Sequence, residues 1–139
     1  MSFNKLSIFI SFFLFSCTSH LIQAKEIKPE ALNCSIYRAI SEINFPETLT
    51  VKDKRFKKKL KEIGFDKTEV NYNLFVSIGL RGVKGFKLDF DKMIKDKKKI
   101  KIYFIETTPP QGRFGTAVPT YPFCVLKVKN LDQVEVVIN

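Results

Sequence analysis

The sequence predicts a mainly β protein: an antiparallel, β-sandwich-like single domain with one short amphipathic helix. The first observation is that apolar and polar residues alternate with a period of two in several segments beyond residue 70. The second is that only one segment shows helical spacing, so the alternation of strands and helices that marks a parallel sheet does not occur. The third is the length of 139 residues, which suits one core of ordinary size and is too short for two comparable ones.

Five segments have the strand pattern, at residues 71–78, 86–91, 99–104, 124–129 and 134–139. The polar segment 92–98 predicts a hairpin turn, although Met93 and Ile94 continue the apolar pattern part of the way into it. Residues 130–132 predict a turn before the last strand, and residues 34–43 are an ambiguous further strand. The inward positions, buried against a second sheet or against the helix, are Leu74, Val76, Leu88, Ile102, Phe104, Leu126 and Val136.

The one helix is predicted at residues 54–63. Asp53 has a side chain suited to capping its first turn, and Gly64 can take the left-handed conformation that ends a helix. The apolar residues at helical spacing are Phe56, Leu60 and Ile63. The exposed face is predicted to be basic and to consist of Lys54, Arg55, Lys57, Lys58, Lys59 and Lys61.

The N-terminus has the pattern of an export signal over residues 1–24. Lys5 precedes an apolar run over residues 6–15, which is too short to span a bilayer of about 30 Å, since a spanning helix needs roughly 20 apolar residues. We therefore predict that the protein is exported to the cell envelope. Residues 25–48 are interpreted as a tether that includes the ambiguous strand, and residues 49–139 as the folded domain.

Two processing sites compete within the signal. The residues Leu-Phe-Ser-Cys at 14–17 are similar to a lipobox, in which Cys17 receives a lipid anchor and becomes the new N-terminus. Ordinary cleavage after Ala24 is the alternative and would leave the domain free in the periplasm. Lipoprotein processing is favoured. In a third interpretation, Cys17 is only one more buriable residue of the signal's apolar region.

The chain is strongly basic. Its 24 lysines and arginines exceed 14 acids to give a net charge of +10, which falls to +9 when residues 1–16 are removed with their one lysine. This charge favours attraction to anionic membrane surfaces or envelope polymers. The basic residues form two clusters, one of Lys52, Lys54, Arg55, Lys57, Lys58, Lys59 and Lys61, the other of Lys92, Lys95, Lys97, Lys98, Lys99 and Lys101. Without interleaved aromatic residues, neither predicts nucleic-acid recognition.

The remaining two cysteines lie near the two ends of the domain. In an oxidising compartment Cys34 and Cys124 could form a disulfide that closes a long loop and stabilises the fold by a few kcal/mol. The alternative is two separate buried thiols, since Cys124 lies on the same strand face as Leu126 and Val128. The sequence leaves both interpretations open.

The residue types argue against an enzyme. The only histidine is His20, in the signal or the tether, so a serine or cysteine nucleophile in the domain would have no histidine base. Cys34 and Cys124 have neither the spacing nor the histidine partners of a metal site. Asp89 and Asp91 share a strand face, where solvated charge is the favoured interpretation. We predict no catalytic residue, no metal and no cofactor.

Two loops are candidates for binding. Residues 79–86 join two strands and hold three glycines, which is typical of a tight turn; the strand that follows distinguishes it from a phosphate-binding loop, which opens a helix. Residues 107–121 hold three prolines and two glycines; loops of this length are often functional, and a wide crossing between sheets is the alternative. The predicted partner-binding residues are Gly79, Arg81, Val83, Lys84, Gly85, Phe86, Arg113, Phe114, Thr120 and Tyr121.

Three short motifs follow one another along these loops. They are Gly79-x-Arg81 with Gly85-Phe86, Glu-Thr-Thr-Pro at 106–109, and Pro-Thr-Tyr-Pro-Phe at 119–123. In order and spacing they resemble the C-terminal domain of PrcB-like protease complex subunits, which occurs in exported and often lipid-modified bacterial proteins. The resemblance covers about residues 50–138, and the Thr-Tyr-Pro segment is its most specific part.

The glycine turn departs from that family's pattern, because residues 82–84 (Gly-Val-Lys) stand where the family has Pro-Thr-Gly, and Phe86 stands where it has tyrosine. The resemblance implies an exported, non-enzymatic accessory domain that binds a protein partner, such as a protease, through loops 79–86 and 107–121. One alternative is a proteinase inhibitor, because the family's turn is similar to the proteinase-binding loop of chagasin-like inhibitors. Another is a basic envelope protein that binds anionic lipid or polymer.

Overall fold

A computed structural model of the chain describes residues 24–37, 46–110 and 118–139. Residues 1–23 of the predicted export signal, with Cys17, and the loop residues Arg113 and Phe114 lie outside the described residues. The described ranges form β1 (Lys25–Ile27), β2 (Ala31–Tyr37), β3 (Glu47–Thr50), α1 (Phe56–Glu62), β4 (Leu74–Ser77), β5 (Lys87–Asp96), β6 (Lys99–Thr107), β7 (Tyr121–Lys127), a 3-10 helix (Leu131–Gln133) and β8 (Val134–Ile138). Within them, no helix is long and apolar enough to cross a membrane.

The strands form two four-stranded sheets. Sheet A has the order β1-β5-β6-β8, and sheet B has the order β2-β7-β4-β3. The prediction of a mainly β, sandwich-like domain is confirmed, with one correction: β8 pairs with β6 in parallel, whereas the other neighbouring strands are antiparallel. The predicted turn at residues 130–132 does not return the chain along β7. Asn130 (φ 57°) and the 3-10 helix carry it across to sheet A instead.

The main core fills the space between the two sheets. Its fully buried residues on sheet B include Leu74, Val76 and Leu126, and those on sheet A include Ile102 and Phe104. These five were predicted from the period-two alternation, which places every second side chain on the same face. Burial of this apolar area is the main force that holds the sheets together.

A second core lies on the other face of sheet B, beneath the helix. It contains Leu49, Phe56, Ile63, Phe75, Tyr121, Phe123 and Val125. The strands are therefore buried both against a second sheet and against the helix. The domain has three layers: sheet A, sheet B and α1. The central strands β4 and β7 are buried on both faces, which is why their sequences contain nearly continuous apolar runs.

The helix is shorter than predicted, at Phe56–Glu62. The Asp53 carboxylate accepts a hydrogen bond from the backbone N–H of Arg55 at 2.9 Å. This bond forms a turn just before the helix, whose N-cap residue is Arg55. Gly64 ends it as predicted, with φ 79°, and the N–H of Phe65 reaches back to the carbonyl of Leu60 at 2.8 Å.

The β5–β6 hairpin is longer than predicted. Pairing continues through the expected turn as far as Asp96 and Lys99, and only Lys97 and Lys98 connect the strands. A register shift between Phe90 and Lys92 interrupts the period-two alternation of the strand. The extra residue, Asp91, forms a β-bulge. Before it the even-numbered residue Leu88 faces the core, and after it the odd-numbered residue Met93 does.

The segment predicted as a tether differs from that expectation, because residues 25–37 form two strands of the domain. β1 pairs with β5 in sheet A, and β2 pairs with β7 in sheet B. Glu30 fixes the connection between them: its N–H donates to the carbonyl of Lys127 at 2.8 Å, and its carboxylate pairs with Lys127 and Lys129. Residues 25–37 are therefore part of the folded domain, which was predicted over residues 49–139.

Cys34 and Cys124 face each other across the β2–β7 pair and are joined by a disulfide bond. Cys124 is fully buried in the main core, and Cys34 packs against that core from the edge strand. Of the two interpretations that the sequence left open, the structure has the bridge. It ties the edge strand β2 to the centre of sheet B.

Candidate partner-binding loop

Loop 79–86 crosses from sheet B to sheet A and lies against the beginning of β7. Arg81 and Thr120 form an isolated antiparallel bridge, in which each N–H donates to the other's carbonyl at 2.8 Å. The β4–β7 ladder pairs Ser77 with Phe123, so the three residues 78–80 face only two residues of β7, 121 and 122. The bridge continues the ladder beyond this extra residue and fixes the base of the loop.

The extra residue is accommodated by Gly79 and Pro122. Gly79 has φ 81°, a conformation that is favourable only for glycine, and its N–H donates to the Ser77 hydroxyl oxygen at 3.0 Å. The same hydroxyl donates to the carbonyl of Pro122 at 2.9 Å. Pro122 has no N–H to offer the ladder, and it lies opposite the irregularity, where a central strand tolerates proline.

The side chain of Arg81 connects the loop to sheet A. Its Nε and Nη2 atoms each lie 2.8 Å from the Oε1 atom of Glu106, near the end of β6. Its guanidinium also lies 5.6 Å from the centre of the Phe86 ring, where the loop enters β5. Both charged side chains are about three-quarters buried, at 26 % and 22 % exposed. The ion pair is therefore better shielded from water than an ordinary surface pair.

Gly85 fixes the other side of the loop against Pro109, the residue that follows the predicted Glu-Thr-Thr segment. Gly85 has φ 105°, and a Cβ atom placed on it would lie 2.7 Å from the Cβ of Pro109. Gly82, in contrast, has open space around it. The structure thus brings loop 79–86 together with the two ends of loop 107–121, although residues 111–117 lie outside the described ranges.

Replacing Gly85 with alanine is expected to destabilise the domain by about 1–3 kcal/mol, because both the positive φ and the contact with Pro109 oppose a side chain. Gly82→Ala in the same loop is the matched control, and its expected effect is within about 0.5 kcal/mol of zero. Urea unfolding of the two variants measures the difference. Equal stability of both variants would contradict the close packing of Gly85 on Pro109.

The structure separates the predicted binding residues into an exposed tip and a buried support. Lys84 is exposed, and Val83 is half-buried beside it. Thr120, in contrast, is 5 % exposed and Tyr121 is not exposed at all. Gly79 is likewise buried. The expectation that Thr120 and Tyr121 contact a partner directly is therefore corrected: these two side chains hold the loop, because β7 is covered by sheet and helix on its two faces.

Tyr121 belongs to a buried polar network under α1. Its hydroxyl donates to the Oε1 atom of Glu47 at 3.0 Å, and the Nζ atom of Lys59 lies 2.9 Å from the same oxygen. Lys59 was predicted on the exposed face of the helix, but its side chain is only 9 % exposed and lies over the rings of Phe75 and Tyr121. A charge partner and two aromatic faces offset the cost of burying the lysine.

Burial, together with the nearby Glu47 carboxylate, raises the pKa of Tyr121 well above its usual value of 10.0. The unfolded tyrosine ionises near pH 10, so the stability that neutral Tyr121 contributes is complete below that pH and is lost as the pH rises above it. The expected loss is about 1.4 kcal/mol per pH unit. The Tyr121→Phe variant should lack this loss.

Urea unfolding at successive pH values above about 10 measures the difference between wild type and Tyr121→Phe. Tyr103→Phe, on the outer face of sheet A, is the control for general alkaline effects and should keep the wild-type slope. Parallel curves for wild type and Tyr121→Phe would contradict the assignment. Tyr121 is buried, so its raised pKa is a consequence of packing and not a sign of chemistry at an accessible site.

The side chains considered above for catalysis or metal binding are possible metal ligands, the pair Asp89 and Asp91, and the pair Cys34 and Cys124. In the described ranges, no three side chains among histidine, cysteine, aspartate and glutamate are grouped to hold a metal ion. Asp89 and Asp91 are both exposed on β5 beside the bulge. Cys34 and Cys124 are joined to each other and offer no free thiol.

Part of the chain is similar to a known protein family. The family model described as PrcB C-terminal matches residues 73–129. No curated protein and no solved structure matches the chain significantly. The matched segment runs from the beginning of β4 to the end of β7 and contains loop 79–86, the β5–β6 hairpin and the Thr-Tyr-Pro segment. Over these residues, the chain is similar to the PrcB C-terminal family.

Proposed function

We propose that the protein is an exported, non-enzymatic accessory subunit that binds a protein partner through loop 79–86 and the adjoining loop 107–121. The family is similar to protease complex subunits, so the expected partner is an exported protease or a component of a protease complex. The observation that carries the proposal is the fixed position of loop 79–86 at one end of the sandwich, with its tip exposed.

Four attachments support a binding role for this loop. The Arg81–Thr120 bridge, the Arg81–Glu106 ion pair, the Ser77 hydroxyl and the Gly85–Pro109 contact hold its backbone before any partner arrives. A loop that is already ordered loses less conformational entropy on binding, and more of the contact energy becomes affinity. Val83 and Lys84 at the tip then offer an apolar contact and a positive charge.

A non-enzymatic role is supported by the residue types of the whole chain. The only histidine is His20, which precedes the first strand of the domain, and Cys34 and Cys124 form a bridge. These residues leave no pair of nucleophile and base of the kind that hydrolytic enzymes use. An accessory domain needs surface complementarity and no such pair.

The test is recovery of the partner from the native host with the full chain, after chemical cross-linking. Val83→Asp with Lys84→Glu should reduce recovery about tenfold, because the change places acid where the tip offers an apolar and a basic group. The matched control, Ile105→Asp with Lys98→Glu, makes the same charge change on exposed residues of sheet A and its hairpin. It should leave recovery unchanged.

Equal recovery with all three forms would overturn the assignment of loop 79–86. Stoichiometric inhibition of a cysteine or serine protease by the purified chain would replace the accessory role with the inhibitor role. Attachment to a membrane through Cys17 is a separate part of the proposal. The intact mass of the mature protein tests it, because a lipid on Cys17 and cleavage after Ala24 give different masses.

A further inference from the structure

A groove lies beside α1, at the opposite end of strand β4 from loop 79–86. Its volume is about 420 Å³, which is within the usual range for a binding site. Loop 79–86 follows the Ser77 end of β4, whereas the groove lies near the Leu74 end of that strand. There the backbone N–H of Val51 donates to the carbonyl of Asn73 at 3.0 Å. Six apolar or aromatic residues line it: Val51, Phe56, Leu60, Phe65, Val70 and Tyr72.

The groove has a fixed aromatic floor and exposed apolar sides. Phe65 makes edge-to-face contacts with Tyr72 and with the buried Phe123, at 5.8 and 5.6 Å between ring centres. Val51 is 49 % exposed and Val70 is 37 % exposed on its sides. Apolar side chains grouped around a concave site mark a place where another molecule binds.

The rim of the groove beside the helix is positively charged. Lys57 lines it, and Lys61 lies one helical turn further along the same face. One carboxylate, that of Asp66, also lines the groove, beyond the end of the helix. The other helix lysines are neutralised, Lys58 by Glu62 and Lys59 by Glu47. No carboxylate in the described ranges pairs with Lys57 or Lys61.

These lysines are unfavourable for the helix itself. α1 has no acidic residue in its first turn, where a negative charge would complement the helix dipole, and it has Lys57 there instead. Lys57 and Lys61 also repel each other at the spacing of one turn. Such conflicts between local preference and structure concentrate at functional sites, where a partner compensates for them.

We propose that this groove binds an acidic segment of a protein partner, with one large apolar side chain of that segment in the groove and its flanking carboxylates on Lys57 and Lys61. The concave apolar floor favours an inserted side chain over a flat layer of lipid headgroups, which would contact the lysines and leave the groove empty. The site is independent of loop 79–86, so either surface can fail its test without affecting the other.

The probe is a fluorescent hexapeptide with Phe-Leu at its centre and two aspartates on each side, titrated against the full chain. A second peptide, with Ser-Gly in place of Phe-Leu, has the same charge and should bind about tenfold more weakly. Lys57→Glu with Lys61→Glu should weaken binding of the first peptide about tenfold, since two exposed attractions become repulsions. Lys95→Glu with Lys98→Glu is the matched control and should leave affinity within about twofold.

Val70→Asp separates the groove from the charge, because it places a carboxylate on the apolar side without touching the buried floor. It should also weaken the first peptide about tenfold. Equal binding of the two peptides, or no effect of Val70→Asp, would overturn the proposal. Vesicles that contain phosphatidylglycerol provide the last arm. Stronger binding to them than to the first peptide, lost in Lys57→Glu with Lys61→Glu and retained in Val70→Asp, would identify the site as a membrane-contacting surface instead.

Discussion

Replacing Cys34 and Cys124 together with alanine is expected to lower the free energy of unfolding by about 4–5 kcal/mol. The bridge joins residues separated by 90 positions, and closing a loop of that size removes much of the entropy of the unfolded chain. The bridge also holds β2, which lies at the edge of sheet B among the described strands and exposes Leu32 and Ile36 at 40 % each. Since a domain of this size is stable by only about 5–15 kcal/mol, the loss is severe.

Urea unfolding of the oxidised protein, the reduced protein and the double variant measures this effect. Reduced wild type and the double variant should have closely similar midpoints, both far below that of the oxidised protein. The outcome against the account is a double variant within about 1 kcal/mol of oxidised wild type. Two free thiols in the native protein after denaturation would also exclude the bridge.

Replacing Phe75 with alanine is expected to cost about 3–5 kcal/mol. Phe75 is fully buried at the centre of sheet B, and its ring stacks between those of Tyr121 and Phe123, at 6.3 and 5.9 Å between ring centres. The Nζ atom of Lys59 lies 6.0 Å above it, so the ring is also part of the surface on which α1 rests. Its removal should loosen the helix as well as leave a cavity.

The control for this change is Phe75→Leu, which keeps most of the volume and should cost less than about 1.5 kcal/mol. Circular dichroism of Phe75→Ala should show a loss of helical signal before the sheets unfold in urea. If Phe75→Ala and Phe75→Leu are equally stable, the second core beneath the helix does not contribute as described.

Strands β5 and β6 were predictable because one face of each is buried and the other is largely exposed to solvent. The alternation at β6 reveals this directly, since Ile100, Ile102 and Phe104 are buried between exposed or half-buried neighbours. β1 and β3 were missed for the opposite reason. They are short, and β3 buries only Leu49 fully, so their identity as strands depends on distant partners rather than on a local pattern.

The candidate site was only partly predictable. Three glycines marked loop 79–86, and the structure uses Gly79 and Gly85 at positive φ. The burial of Tyr121 and Lys59 was not readable, because it depends on β7 lying between sheet A and α1, and on Glu47 reaching both side chains. The apolar residues at 123–126 were the available signal for Tyr121, whereas Lys59 lies among other lysines in the sequence and has no such signal.

The parallel pairing of β8 with β6 was also beyond local reasoning. Residues 130–132 have the composition of a turn, and the alternation of β8 is the same for a hairpin as for a strand of the opposite sheet. The chain crosses because the inward residues Val134 and Val136 pack against the core beside Ile100 and Ile102, with which they are paired. Packing of one sheet on the other decides the connection.

The central claim is that the tip of loop 79–86 contacts a partner, and site-specific photo-cross-linking in the native host tests it most directly. A photoreactive residue at position 84 should form a covalent adduct with a protein that mass spectrometry identifies as a protease or a component of its complex. The same residue at position 98, equally exposed on the β5–β6 turn, should not. No adduct at position 84, or the same adducts from both positions, would contradict the account.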